Sequence, residues 1–191
     1  MDAFTRQLYK VIGLSAIAAP LAHTITDIWE VLAGGYSVPL LIVNYIAFVV
    51  LPFTVIGLYA VQRPAIRMAG LVGALLYAWS FIYFSHTALY ALEQQIPDYD
   101  TLWQHLGMVY TFHGMLMIAG GLLFGVVTCY LGLFPRWTSL CFIAGILANL
   151  VFGLINVPDI TQIIGSTVRN LGLMGMGASL LWPEKPGHTP L

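Results

Sequence analysis

The stretch VPLLIVNYIAFVVLPFTVIGLYAV, residues 38–61, carries no charged side chain and sets the class of the whole protein. A membrane-spanning helix needs about 20 mostly apolar residues, so this stretch is long enough to cross a bilayer. Five further segments share this character and lie at roughly 11–33, 67–92, 106–134, 138–157 and 160–182. The sequence therefore predicts an all-α, polytopic membrane bundle of six transmembrane helices, folded as a single domain over residues 1–191.

Composition supports this prediction and removes other classes of protein. The chain is 59% hydrophobic and 8% charged, whereas soluble domains carry about 25% charged residues. Its net charge of −1 provides no basic surface for nucleic acid. Cys129 and Cys141 both fall in apolar segments, where we expect reduced thiols that pack rather than form a disulfide or a metal site.

The charged residues are distributed unevenly between the two ends of the predicted helices. Six of the seven basic residues lie on the side of the chain termini: Arg6, Lys10, Arg63, Arg67, Arg136 and Lys185. Six of the eight acids lie toward the opposite side: Asp27, Glu30, Glu93, Asp98, Asp100 and Asp159. Because cytoplasmic loops collect Lys and Arg, we expect both termini to be cytoplasmic and the acids to mark the extracytoplasmic half.

Polar side chains recur on one face of most of these helices, since residues three or four apart share a helix face. The residues concerned are His23, Asp27 and Glu30, then Trp79, Tyr83, His86 and Tyr90, then Tyr110 and His113, then Asn149, Phe152 and Asn156, and finally Arg169. Charged groups inside a membrane usually face the bundle interior or a water-filled cavity. We therefore predict a pocket in the extracytoplasmic half, rimmed by acids and lined by aromatic residues.

A structural role is the alternative for each of these groups. Asp27 or Glu30 would neutralise Arg169, and His23 would make an interhelical hydrogen bond. Asp159 follows a proline at the start of the sixth helix, where aspartate is a common N-cap. Tyr110 would belong to the interfacial aromatic belt.

The predicted pocket suits one kind of chemistry in particular. A carboxyl group in a low-dielectric site can hold a proton at neutral pH, and aromatic faces stabilise cations placed over them. Together these properties favour protonation of an apolar substrate and passage through a carbocation. A hydrophobic substrate would reach such a pocket from the lipid.

The segments HTITDIWEVL, residues 23–32, and NVPDI, residues 156–160, carry isolated acids within or beside predicted spans. In this respect the chain resembles the small integral-membrane terpene cyclases of meroterpenoid pathways, although it has six predicted spans rather than seven. The resemblance implies cyclisation or isomerisation of an isoprenoid-like substrate, with Asp27, Glu30 or Asp159 as the acid.

The other candidate residues take supporting roles in this hypothesis. His86 or His113 would orient the acid or receive the terminating proton. The expected substrate-binding residues are His23, Trp79, Tyr83, Tyr90, Tyr110, Asn149, Phe152, Asn156 and Arg169. We expect no cofactor and no metal site, and as partners only the lipid bilayer and a hydrophobic small molecule. The substrate, the compartment and the oligomeric state stay open.

Three other functions remain open at this point. A transporter or ligand-binding protein would use Arg169 for an anionic solute and the acids to relay protons. A haem-binding electron carrier would use His23, His86 or His113 as axial ligands. A purely structural membrane subunit would need fewer polar groups at one depth.

Overall fold

The computed structural model describes residues 2–155 and 160–182, which form six helices with no strand in these ranges. The helices are α1 Ala3–Ala33, α2 Val38–Val61, α3 Arg67–Glu93, α4 Tyr99–Leu131, α5 Arg136–Leu154 and α6 Ile160–Leu181. The predicted all-helical class is therefore confirmed. Within the described residues, α1 to α5 are long and apolar enough to cross a membrane. The α6 helix is not among them, and it carries Arg169 and Asn170 near its middle.

The six helices close into a ring. Each helix packs against the next one in the chain, and α6 packs against α1. Two glycines allow α6 to approach its neighbours closely. A Cβ atom on Gly177 would lie 2.7 Å from the carbonyl oxygen of Gly13 in α1, and one on Gly172 would lie 2.5 Å from the backbone nitrogen of Phe142 in α5. Small residues of this kind commonly bring membrane helices together.

The centre of the ring is filled by large apolar side chains. Five fully buried members from four helices are Leu51, Phe81, Phe124, Phe142 and Ile146. The outer surface carries many exposed apolar residues, including Phe53 at 75% and Tyr130 at 87% exposure. An apolar surface on that scale is expected where lipid rather than water surrounds the protein.

The α4 helix begins earlier than the sequence predicts. Residues 93–105 were expected to form a loop, but α4 starts at Tyr99 because the Asp98 carboxylate caps it, accepting a hydrogen bond from the Thr101 backbone nitrogen at 2.8 Å. The helix is then broken at Gly107, whose φ of 52° and ψ of −130° favour glycine. The short segment of α4 before Gly107 therefore runs in a different direction from the longer segment after it.

Candidate functional site in the buried polar network

Polar side chains of α1 and α6 meet inside the ring and form a continuous hydrogen-bonded cluster, here called the buried polar network. Its members are His23, Thr24, Asp27, Ser166, Arg169 and Asn170. The close approach of α6 to α1 brings them within hydrogen-bonding distance. All except Asp27 are buried, and Asp27 is half-buried.

The orientation of Asn170 follows from the chemistry of its neighbour. Arg169 can only donate hydrogen bonds, and its Nε and Nη2 atoms each lie 3.4 Å from Oδ1 of Asn170. The amide nitrogen of Asn170 must therefore face the other way, where it donates to the Thr24 hydroxyl oxygen at 3.0 Å. The Thr24 hydroxyl in turn donates to the Pro20 carbonyl oxygen at 3.0 Å.

The same argument fixes the protonation of His23. Two groups that can only donate face its Nδ1 atom, Arg169 Nη2 at 3.3 Å and the Asn170 amide nitrogen at 3.2 Å. Nδ1 must therefore be the bare acceptor nitrogen of a neutral ring, which places the proton on Nε2. Nε2 lies 3.4 Å from Oδ1 of Asp27, so the protonated nitrogen is the one nearer to that carboxyl group.

Asp27 receives its shortest hydrogen bond from α6. The Ser166 hydroxyl oxygen lies 2.6 Å from Oδ2 of Asp27, which is in the range of charge-assisted O–H···O bonds. Oδ1 faces the His23 ring as described. Each carboxyl oxygen of Asp27 thus has a protein partner, and the two partners come from different helices.

Arg169 is a buried cation, only 2% exposed, at the inner end of the network. Its Nη1 atom lies 3.3 Å from the Met117 sulfur, and its Cζ atom lies 5.6 Å from the centre of the Phe81 ring. Among the described residues the one ion pair is His23 with Asp27, and no carboxylate contacts the guanidinium. Among the described residues, neither Asp27 nor Glu30 therefore neutralises Arg169 by direct contact. The His23 ring lies between Arg169 and Asp27.

A run of aromatic rings leads from the network toward the end of the bundle at which α1 ends and α4 begins. We call Phe48, Phe81, Phe84, Tyr83 and Tyr110 the aromatic wall. The His23 ring contacts Phe48 at 4.8 Å between ring centres, Phe48 lies 6.1 Å from Phe84, and Phe84 lies 5.3 Å from Tyr110. His23 contacts Phe48 and is also the ion-pair partner of Asp27, so this end of the wall and the carboxyl group share a neighbour.

Glu30 lies about one helical turn nearer to the end of α1 than Asp27 and makes a different set of contacts. Its Oε1 atom accepts a hydrogen bond from the Tyr99 backbone nitrogen at 3.2 Å, which ties α1 to the start of α4. Beside it, the Tyr36 backbone nitrogen donates to the Pro97 carbonyl oxygen at 2.6 Å. Burial, followed by the negative charges of Glu30 and Asp27 among others, raises the pKa of Tyr36. The two acids therefore approach the same tyrosine from separate positions.

The remaining predicted site residues are spread around the ring. Trp79 is 63% exposed and His86 is also exposed. His113 is half-buried, stacks on Tyr83 at 3.8 Å between ring centres, and places Nδ1 2.8 Å from the Val109 carbonyl oxygen. Tyr90 packs in a separate apolar cluster with Leu40 and Ile96.

The fifth helix contributes two half-buried candidates, Asn149 and Phe152. Oδ1 of Asn149 is a buried acceptor without a hydrogen-bond partner, and it lies against Gly165 of α6. Asn156 and Asp159 lie outside the described residues. The structure therefore brings His23, Asp27 and Arg169 together, and Tyr83, Tyr110 and His113 form a second group of neighbouring rings.

Three members of the network, Thr24, Ser166 and Asn170, were not predicted as site residues. Asn170 carried the clearest signal, because an Arg-Asn pair is unusual inside an apolar helix. Ser166 shares a helix face with Arg169 at a spacing of three. Thr24 looks like an ordinary helix residue, and only its contact with Asn170 reveals its role.

Two surface depressions on the described part of the chain have linings that include no member of the network. One is lined by Ala3, Arg6, Gln7 and Lys10 at the start of α1, and the other by Ile25, Ile28, Trp29 and Leu32 on the outer face of α1. Within residues 2–155 and 160–182, no group of three or more His, Cys, Asp or Glu side chains is placed to hold a metal ion.

The long apolar helices and the enclosed polar network define a multi-pass integral membrane protein, as the sequence predicts. In comparisons with known proteins, no family model, no curated protein and no solved structure matches the chain. The argument about function therefore depends on the geometry of the network and the aromatic wall.

Proposed function

We propose that the protein is an integral-membrane enzyme that cyclises or isomerises a hydrophobic, isoprenoid-like substrate through a carbocation, with Asp27 as the proton donor. The observation that carries this proposal is the placement of Asp27. Its carboxyl group accepts a hydrogen bond from Ser166 and pairs with the His23 ring at 3.4 Å, and that ring contacts Phe48 of the aromatic wall.

The hydrogen bonds to Asp27 support a role as an acid. When an acid gives up its proton to an alkene, it leaves a carboxylate that must be stabilised in a low-dielectric interior. The Ser166 hydroxyl donates to that carboxylate, and Nε2 of His23 lies 3.4 Å from it. Arg169 adds positive charge behind His23, close enough to favour the carboxylate but without direct contact. Proton transfer from Asp27 therefore ends in a well-stabilised state.

The aromatic wall supports the second half of the reaction. A carbocation that forms near Asp27 has no water to stabilise it inside the bundle, so aromatic faces must do so. Phe48 contacts the His23 ring, and Phe84 and Tyr110 continue the wall from there. His23, whose ring nitrogens both have protein partners, acts as an orienting group for Asp27 and not as a base.

We propose that the substrate enters from the lipid between α4 and α5, which make the smallest contact between neighbours in the ring. The aromatic side chains of Phe124 in α4 and Phe142 in α5 contact each other, with 6.2 Å between ring centres, in the half of the bundle nearest the chain termini. Toward the other end, described residues of both helices are exposed, including Phe112 and Met115 on α4 and Leu154 on α5. An apolar chain could pass between the helices there.

The proposed topology has six transmembrane helices, with both chain termini cytoplasmic. The exposed basic residues Arg6, Arg67 and Arg136 mark the cytoplasmic ends of their helices, and Asp98 and Asp100 mark the other side. The variants Arg6→Cys and Asp100→Cys, each made in a background with Cys129→Ala and Cys141→Ala, test this orientation. A membrane-impermeant thiol reagent applied to intact cells should label only position 100, and labelling of position 6 alone would reverse the orientation.

Conversion of a linear isoprenoid by the purified protein tests the proposed reaction. All-trans geranylgeraniol and its terminal epoxide are suitable probes, and products are identified by gas chromatography and mass spectrometry. Because cyclisation is an isomerisation, the product mass in ordinary water equals that of the substrate. In deuterium oxide, protonation of the alkene should add one non-exchangeable deuterium, which reports directly on the initiating proton.

Asp27→Asn should abolish conversion, because an amide cannot donate an initiating proton of comparable acidity. Asp100→Asn is the matched control, because it removes an exposed carboxylate on the same side of the bundle and should convert at the normal rate. Unchanged conversion in Asp27→Asn, or products that form equally without protein, would contradict the proposal.

One observation favours a second candidate, a membrane protein that binds or transports an anionic solute. The guanidinium of Arg169 is buried and contacts no carboxylate among the described residues, and such a cation can attract an anion from solution. Binding of an anionic solute that Arg169→Met removes, with no chemical conversion of any isoprenoid probe, would favour this candidate over the enzyme.

A further inference from the structure

The Ser166 hydroxyl has a single hydrogen but two acceptors within reach. Its oxygen lies 2.6 Å from Oδ2 of Asp27 and 3.1 Å from the carbonyl oxygen of Ile163, one turn earlier in α6. One hydroxyl group can donate only one strong hydrogen bond at a time. If Ser166 donates to Ile163, a contact of 2.6 Å with Asp27 requires the proton to come from the carboxyl group.

We propose that Ser166 is a positioning residue that keeps Asp27 hydrogen-bonded in both of its protonation states, so that Asp27 can take up and release a proton inside the bundle. In the protonated state, the Asp27 carboxyl group donates to the Ser166 oxygen, and Ser166 donates to the Ile163 carbonyl. In the carboxylate state, the Ser166 hydrogen turns to Asp27. Neither state leaves a buried polar group of the pair unsatisfied.

The surroundings suit a group that changes charge. Among the described residues, the neighbouring titratable groups are His23 and Glu30 on α1, Arg169 on α6, and Tyr36 and Tyr110. The α2 helix contains no charged residue. Arg169 and the Asn170 amide nitrogen can only donate, and both face Nδ1 of His23. The imidazole therefore keeps its proton on Nε2 while Asp27 gains or loses a proton. The proton that moves therefore belongs to Asp27.

This inference deepens the proposed function, and its catalytic part rests on that function. In the reaction, the O–H bond of Asp27 breaks and its proton forms a C–H bond with the electrons of the substrate alkene. The product carbocation loses a proton at the end of the sequence. Uptake of a proton by the Asp27 carboxylate then restores the starting state, so the reaction needs no other reactant.

Infrared difference spectroscopy tests the proton-holding site without any substrate. The carbonyl stretching band of protonated Asp27 is assigned as the band that appears on acidification of the native protein and is missing in Asp27→Asn. In Ser166→Ala this band should move to the position of a carboxyl group that donates no hydrogen bond. Ser166→Thr keeps the hydroxyl group, so its band should stay near the native position.

Ser179→Ala is the matched control. Ser179 lies on the same helix and donates to the carbonyl oxygen of Met176 at 2.8 Å, and no acid among the described residues contacts it. Its removal should therefore leave the Asp27 band unchanged. An Asp27 band at its native position in Ser166→Ala would overturn the inference, even if the protein converts an isoprenoid. A shifted band without any conversion would support the proton site and count against the enzyme alone.

If conversion is observed, Ser166→Ala should slow it about 10- to 100-fold, which corresponds to the loss of one hydrogen bond to a charged group. Ser166→Thr should recover most of the rate. The same slowing in Ser166→Thr as in Ser166→Ala would show that packing, and not the hydroxyl group, determines the rate.

Discussion

The packing of α6 against α5 at Gly172 allows a quantitative test of the fold. An alanine Cβ at this position would lie 2.5 Å from the Phe142 nitrogen, 2.6 Å from the Thr138 carbonyl oxygen and 2.8 Å from the Phe142 Cα atom. Ordinary contacts between such atoms are about 3.5–4 Å. All three obstructing atoms are backbone, so the two helices must separate by roughly 1 Å to make room, judged from that shortfall.

The expected magnitude follows from comparison with a glycine that has space. Overpacking typically costs about 1–3 kcal/mol, whereas the helix propensity of alanine over glycine returns up to about 1 kcal/mol. Gly114 in α4 has no atom within 4 Å of a built Cβ, so Gly114→Ala gains the propensity without a clash. Because the propensity term is common to both variants, Gly172→Ala should be less stable than Gly114→Ala by about 1–3 kcal/mol.

Reversible unfolding in mixed micelles, with an increasing fraction of dodecyl sulfate and helicity as the readout, measures this difference. The two variants carry the same chemical change, so effects on detergent binding should largely cancel. If Gly172→Ala unfolds at the same detergent fraction as Gly114→Ala or at a higher one, the tight approach of α5 and α6 described here is wrong.

Three further predictions concern the network and the helix ends. Arg169→Met and Asp27→Asn should be coupled through His23, so that their combined cost in unfolding free energy is smaller than the sum of the single costs by about 0.5–3 kcal/mol; strict additivity would refute this link. The backbone N–H of Thr101, and then its hydroxyl, lowers the pKa of Asp98 below its usual 3.8, so the cap stabilises the fold above that pH and is lost as the pH falls through the lowered value. Asp98→Ala should therefore cost about 1 kcal/mol at neutral pH and nothing in strong acid, in the same unfolding assay. Glu30→Ala should increase hydrogen exchange at the Tyr99 amide, while Glu30→Gln, which keeps an acceptor oxygen, should not; equal exchange in both variants would contradict the contact.

The helical class could be predicted from the sequence because it depends on local composition. A long run of apolar residues such as 38–61 has one stable form in a bilayer, a helix that satisfies its own backbone. The start of α4 could not be placed in the same way. The polar residues from Asp98 to Gln104 look like a loop, but the Asp98 cap allows the helix to begin within them.

The buried polar network was predictable only in part. The i, i+4 spacing places His23 and Asp27 on one helix face, and the depth of Arg169 in an apolar segment marks it as an interior residue. The partner of each group depends on which helices are neighbours. The sequence alone did not indicate that α6 closes against α1, so it could not predict that His23 lies between Asp27 and Arg169 or that Ser166 bonds to Asp27.

The polarity of α6 has a consequence for how the protein is made. An arginine at the centre of an isolated helix opposes its insertion by about 2.5–3.5 kcal/mol, and Asn170 adds to that penalty. Asn170 bonds to His23 and Thr24 on α1, and Arg169 contacts His23 on α1 and Met117 on α4. These helices leave the ribosome before α6. If α6 spans the bilayer as proposed, its insertion should be easiest while those partners are still beside the insertion machinery.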